Sequence, residues 1–350
     1  MNKRALRADL LLLLTAGIWG FGFVAQRSGM EYVGPFAFNG IRFLLGSLSL
    51  LPLIFWIRRD KRRAGRRENN TDANSAANTI AVSCIAGIIL CMAVILQQFG
   101  LMFTSEGKAG FITGFYVVLT PIAGIFLGKK TGAPTWVGMI FSLAGLYFIS
   151  LFGHPDSINP GDALMVVSAL FWTAHVLVID HLVQKTDPLV LSAGQFAVCG
   201  ILTLAGAFLA ESFISKWIGD SQWVKTLNPE IISSGRFGWI PFPALIEGLK
   251  GGGIPFAQVS GALIPILYGG FGSVGIAYTL QVVAQKDAPP AHATIILCLE
   301  GSFAALGGAL ISDNIPEWTT VVGFALMLAG MLVSQWEVIA GGGLHKQKIE

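Results

Sequence analysis

The sequence predicts an all-α integral membrane protein whose ten transmembrane helices form two inverted five-helix repeats. Three observations carry that prediction. Of 350 residues, 53% are hydrophobic and 12% charged, with a mean hydropathy of +0.67, whereas a soluble domain averages about 25% charged residues. Apolar runs of about 18 to 22 residues recur along the chain, each long enough as a helix to cross roughly 30 Å of hydrocarbon. Finally, the chain repeats itself: Asp162, Ala169, Trp172, Pro188 and Phe196 follow Asp9, Ala16, Trp19, Pro35 and Phe43 at one fixed offset of 153 residues. A later echo brings Val137-Gly138 and Ala144-Gly145 back as Val322-Gly323 and Ala329-Gly330. Self-similarity of this kind decides the architecture before any single helix does.

The first span is expected over residues 9–26, behind Lys3, Arg4 and Arg7. A basic start and a Leu run also fit a secretory signal, but Asp9 and Trp19 recur deep in the chain and no A-x-A-like cleavage site follows. The second span opens at Pro35, a natural first-turn residue, and runs to residue 57. Residues 58–79 form a basic loop, with seven Lys or Arg in 58–68 and a polar run at 69–78 that is expected to be mobile. The third span covers 80–104. A short turn at 105–107 makes it an antiparallel hairpin with the fourth, 108–127. Two G-x-x-x-G pairs, Gly110/Gly114 and Gly124/Gly128, suit close helix approach within the fourth span. The fifth covers 135–152. The second unit starts over at Asp162, with further spans from Pro188, Ala262, Pro290 and Trp318.

Five spans per unit is an odd number, so the second unit must enter the membrane from the opposite side. The units are 1–153 and 154–337, with a cytoplasmic tail at 338–350. With the N-terminus inside, most of the 23 Lys and Arg residues fall on cytoplasmic segments, as the positive-inside rule requires. The same rule explains the basic loop at 58–79 better than nucleic-acid binding does. Residues 211–261, rich in Trp, Gly and Pro, fall outside, as an interfacial cover or a plain loop.

No H-E-x-x-H, G-x-S-x-G or phosphate-loop motif is present, so no catalysis, metal or cofactor is expected. Cys84, Cys91, Cys199 and Cys298 all lie in apolar runs and read as buried core thiols. Ionisable groups inside spans are costly enough to be functional candidates. Glu300 stands ten residues after Pro290, about 15 Å deep. It reads as a cavity residue that accepts a proton or meets a cation, or else as a protonated helix-to-helix bond. Arg42, about 10 Å deep, is either an anion-facing cavity group or a snorkelling side chain; its repeat counterpart is Gln195. Trp19 and Trp172 recur at one mid-membrane depth, away from the headgroup belt, which suits packing or a cavity wall. His175 lies one turn beyond Trp172. Gln97, Gln98, Tyr116, Tyr278 and Gln281 are further polar groups that need partners in lipid.

Ala16-x-x-Trp19, Leu119-Thr120-Pro121 leading into Gly128, Val137-Gly138 with Ala144-Gly145, and their counterparts in the second unit resemble the drug/metabolite transporter superfamily, in particular its ten-span EamA group. The resemblance covers about residues 8–336 apart from 211–261. It implies two inverted repeats around a central cavity lined by the first four spans of each. It also implies export of amino acids, metabolites or drugs across a bacterial inner membrane. Two departures stand out: Gly128 is followed by Lys129 where the family has Gly-Glu, and the family's Leu-Glu-Pro appears as Leu299-Glu300-Gly301.

The expected partners are a small-molecule substrate, membrane lipids and a proton or other cation as coupling ion. A lipid-modifying membrane enzyme and a non-transporting receptor are the alternatives. Reporter tags at residues 70 and 185 should label only from the cytosol, and tags at 155 and 230 only from outside; labelling of either pair from the other side refutes the inverted topology.

Overall fold

The computed structural model describes residues 3–63, 73–103, 106–150, 152, 160–220, 241–251, 256–311, 318–334 and 336. Among them the chain is helical: α1 (Lys3–Met30), α2 (Pro35–Arg63), α3 (Ala73–Phe103), α4 (Glu106–Gly114), α5 (Tyr116–Phe126), α6 (Ala133–Ser150), α7 (Pro160–Leu182) and α8 (Pro188–Asp220). There follow α9 (Phe242–Gly251), α10 (Phe256–Leu267), a π-helical stretch (Tyr268–Tyr278), α11 (Thr279–Ala284), α12 (Pro290–Leu297), α13 (Glu300–Ile311) and α14 (Trp318–Ser334). Seven helical stretches, beginning at Lys3, Pro35, Asn78, Pro160, Pro188, Ser260 and Pro290, are long and apolar enough to cross a membrane. Three shorter apolar helices, Ile112–Phe126, Ala133–Phe148 and Val321–Ser334, accompany them.

Local chemistry sets the boundaries. Pro opens α2, α7, α8 and α12, where its missing N–H is no loss. Asp187 caps α8, its carboxylate accepting from the N–H groups of Leu189 (2.9 Å) and Val190 (3.4 Å). The exterior is apolar: Phe126, Leu209 and Ile264 are exposed while Arg42, Gln98, Gln195 and Glu300 are buried. That inverts a soluble protein and suits a lipid solvent.

α6 packs along α14, α2 along α8, and α3 along α7. The repeated glycines account for the first contact. A Cβ on Gly138 would stand 2.6 Å from the Gly330 carbonyl oxygen, and one on Gly145 2.5 Å from that of Gly323. Advancing by seven on α6 thus retreats by seven on α14, so the two helices run antiparallel with their backbones in contact. α2 and α8 do the same, Gly40 facing Leu204 and Gly200 facing Leu44.

Several boundaries differ from the expected ones. α3 starts at Ala73, so the later part of the polar run 69–78 is helical. α8 continues to Asp220, and the start of the segment read as an external cover belongs to it: Glu211 is fully buried and accepts from the Ala37 N–H at 3.3 Å. Residues 221–240 and the middle of the basic loop, 64–72, lie outside the described residues, as does the tail 338–350. The fourth expected span is broken at Phe115, the ninth at Cys298 and Leu299, and the eighth holds the π-helical stretch. Of the two G-x-x-x-G pairs, Gly110 does approach another backbone, where an added Cβ would stand 3.2 Å from the Cα of Gly301. Gly128 instead has φ of 74° and nothing within 4 Å of its Cβ position. It ends α5 by a left-handed turn in which the Lys129 N–H donates to Gly124 (2.9 Å).

Gly145→Ala and Gly330→Ala should each lower stability by about 1–3 kcal/mol, since the added methyl meets backbone that cannot yield. Gly308→Ala, with nothing within 4 Å, should be neutral or raise it by up to about 1 kcal/mol. Unfolding in detergent micelles measures all three; equal effects would show that the α6–α14 contact is not tight.

Candidate functional site

A cavity opens between α1, α2, α3, α5, α7, the π stretch, α11, α12 and α13. Its floor is aromatic. The rings of Trp19 and Tyr278 are 4.4 Å apart, Trp172 stacks on Tyr278 at 5.9 Å and 20°, and Trp19 and Trp172 are 6.3 Å apart. Phe43 and Phe196, another pair related by the repeat offset, meet at 6.1 Å and both pack on Tyr278. Each repeated aromatic thus touches its own counterpart, and Tyr278 is wedged among all four.

Arg42 enters from α2. It is 2% exposed, which rules out snorkelling. Its guanidinium lies over the rings of Phe38 (5.5 Å) and Phe43 (5.1 Å), and its Nε donates to Asn39 Oδ1 at 2.8 Å. That is its one hydrogen bond among the described residues, and no carboxylate is within ion-pair distance there. The terminal nitrogens are therefore available to an anion in the cavity.

Glu300 comes from the other side, as the first residue of α13 after the break at Cys298–Leu299. Gly20 of α1 holds that turn in place: a Cβ there would lie 2.7 Å from the Glu300 carbonyl oxygen and 2.8 Å from the Ala304 nitrogen. Gly301 makes the matching approach to Gly110. The helix interruption thus persists although glycine stands after Glu300 in place of proline. Tyr116 likewise begins α5, just after the break at Phe115, and neighbours Glu300.

Of the ten residues singled out from the sequence, Trp19, Arg42, Tyr116, Trp172, Tyr278, Gln281 and Glu300 line the cavity. The other three do not. His175 Nε2 bonds Gln195 Oε1 at 2.9 Å, and its ring stands edge-on to Trp172 at 5.9 Å. That pair braces Trp172 from behind. Gln98 is fully buried with neither amide atom partnered among the described residues, and its neighbour Gln97 faces the cavity instead. Gln26, Phe23, Val176, Ser273 and Leu297 also contribute to the wall. Helical spacing from the tryptophans carried part of that signal: Phe23 and Val176 lie one turn beyond Trp19 and Trp172.

The Trp19 indole donates to the Ser273 carbonyl at 3.2 Å. By contrast, the Trp172 indole N–H and the side-chain oxygens of Gln26 and Gln281 find no partner among the described residues. Buried polar atoms are normally satisfied, so this wall is suited to a polar ligand. No group of three His, Cys, Asp or Glu among the described residues is placed to hold a metal.

Residues 6–151 and 159–269 match the model of the EamA-like transporter family. The chain belongs to that family. An uncharacterized transporter of Archaeoglobus fulgidus is 27% identical over 335 residues, 95% of this chain and 87% of its own. The uncharacterized transporter YvbV of Bacillus subtilis is 26% identical over 246 residues, 69% of this chain and 75% of its own. A protein of known crystal structure shares the fold, with a TM-score of 0.64 at 15% identity over 96% of this chain and 99% of that one.

In this EamA-like transporter Arg42→Lys keeps the charge but loses the planar stack and the two-pronged donor face. It should weaken transport of a carboxylate-bearing solute about tenfold, the worth of one charge-assisted hydrogen bond, with folding intact by gel filtration. Full flux in the variant would remove the guanidinium from solute recognition.

Proposed function

We propose that the protein is a secondary carrier that exports a small organic solute by alternating access. Its two units, 1–153 and 154–337, are inverted about an axis in the membrane plane. The observation that carries the proposal is the cavity, walled by the repeated tryptophans and furnished with one guanidinium and one carboxyl group. Contacts between repeat-related residues support the inversion, because only groups close to a two-fold axis touch their own counterparts. Trp19 with Trp172 and Phe43 with Phe196 do so. The antiparallel glycine contacts of α6 with α14 fit the same axis.

The chemistry favours a zwitterionic solute with an apolar body, such as an amino acid. Arg42 receives its carboxylate, Glu300 its ammonium group, and the Trp19–Trp172–Tyr278 floor its side chain. With no nucleotide motif in the sequence, transport runs downhill or on an ion gradient, and Glu300 is the group in the cavity that can exchange a proton for the solute. Export, residence in a bacterial inner membrane and cytoplasmic termini rest on the family resemblance and the charge bias.

Counterflow of labelled amino acids in liposomes tests this reading. Exchange should occur with wild type, and Glu300→Gln should flatten its pH dependence while leaving binding measurable. Binding without exchange in wild type would favour a receptor, and an unaltered pH profile in Glu300→Gln would remove the proton role.

A further inference from the structure

Arg42 and Glu300 share the cavity but differ in a way that matters in lipid. A carboxyl group sheds its charge by taking a proton, whereas a guanidinium stays charged throughout the physiological pH range. Arg42 is also held where it is. Phe38 and Phe43 flank its guanidinium, and the π stretch closes on its stem, where a Cβ on Gly269 would stand 3.2 Å from Arg42 Cδ. The charge can neither be titrated away nor withdrawn to a headgroup, and a buried charge without an opposite one is costly.

The chain offers little to neutralise it. Among the described residues the guanidinium has one hydrogen bond, to the uncharged Asn39 side chain, and no carboxylate at ion-pair distance. The ionisable groups close enough to feel its charge are the Tyr278 hydroxyl and the Cys199 thiol, which are neutral in their ordinary forms near pH 7. Glu300 stands across the cavity beside Tyr116.

Donors, by contrast, are well supplied. Arg42, Tyr278 and Trp172 all line the cavity, bringing guanidinium N–H groups, a hydroxyl and an indole N–H. The indole N–H has no partner among the described residues, although Trp172 is only 7% exposed. Phe43 links the three: it lies 5.1 Å from the guanidinium and 5.7 Å from the Tyr278 ring, which in turn stacks on Trp172.

We propose that Arg42, Tyr278 and Trp172 form a binding site for a small monovalent inorganic anion such as chloride, which balances the guanidinium when no solute carboxylate occupies it. One negative charge matches one guanidinium. A single-atom anion accepts from any direction, so it can use donors from α2, α7 and the π stretch together, whereas a divalent oxyanion would leave excess charge against the aromatic rings. A solute carboxylate needs the same donors, so the two bind in alternation and solute entry releases the anion. This deepens the carrier reading: it rests on the cavity but not on which solute is carried.

The test uses the full chain in lipid nanodiscs at fixed ionic strength, with iodide as the probe. Iodide at Arg42 should quench tryptophan fluorescence with a saturable component above the linear, collisional quenching of exposed tryptophans. Chloride and acetate should reverse that component, and sulfate should not. Arg42→Gln should abolish it and Glu300→Gln should keep it. Tyr278→Phe should weaken iodide binding about fivefold, the worth of one hydrogen bond. Quenching that is linear throughout in wild type, or a saturable component that survives in Arg42→Gln or is reversed equally by sulfate, overturns the site. Should Arg42→Gln fail to fold, bromide in wild-type crystals decides: its anomalous signal should lie against the Arg42 guanidinium, and bromide found only elsewhere overturns the site. Saturable iodide binding without amino-acid counterflow would count against the solute and leave this site standing. Counterflow without saturable quenching would remove the site and leave the carrier.

Discussion

The middle of a bilayer offers no water, so each departure from regular helical hydrogen bonding there must be met by protein or by a wet cavity. Among the described residues, three such departures border one cavity. The break at Phe115 delivers Tyr116, the break at Cys298–Leu299 delivers Glu300, and the π stretch ends in Tyr278. α1 compensates for the π stretch. Thr15 donates to the Ala277 carbonyl (3.1 Å), Trp19 to that of Ser273 (3.2 Å), and the Ile18 carbonyl accepts from Tyr268 (2.8 Å). The π stretch can therefore border the cavity with its Ser273 and Ala277 carbonyls paired.

Close approach makes that compensation possible. In lipid there is no hydrophobic drive between helices, so contact depends on small residues and dispersion. Gly20 lets α1 press on the Glu300 turn, Gly110 and Gly301 let α4 cross α13, and Gly46 lets α2 lie against the π stretch, where an added Cβ would stand 3.1 Å from the Gly270 carbonyl oxygen. Arg42 shows the other side of the same constraint. A buried guanidinium with one amide bond and two aromatic faces is incompletely neutralised. It is tolerable because it faces the cavity, and for the same reason it is suited to an anion.

Much of this was legible in the sequence. The helical class followed from composition, and the offset of 153 residues singled out Trp19, Trp172, Phe43 and Phe196, which converge in the structure. The glycine echo proved to be two halves of one contact. What could not be read was local geometry. Neither the π stretch nor the break before Glu300 leaves a mark distinct from the Gly-rich apolar sequence around it. Gln97 and Gln98 are adjacent on a helix, and one residue's rotation, about 100°, decides which faces the cavity. Asp9 served only as a marker of the repeat, because its partner His292 lies 283 residues away.

Two polar ties share a feature that bears on how such a molecule could move. Lys129 on the α5 side meets Asp180 of α7, and Asp9 of α1 meets His292 of α12. Each joins the first sequence unit to the second, so any separation of the units at those points must break both. They are unequal. The Lys129 side chain is 37% exposed, and a pair so placed contributes about 0–1 kcal/mol, since water and salt replace much of it. The Asp9 and His292 side chains are nearly enclosed, and the His292 ring is held on both sides, by Asp9 at Nε2 and by Ser334 at Nδ1, so separating them leaves buried polar groups unpaired, at a cost of about 1–3 kcal/mol. Separation of the units is therefore opposed more by the enclosed tie than by the exposed one.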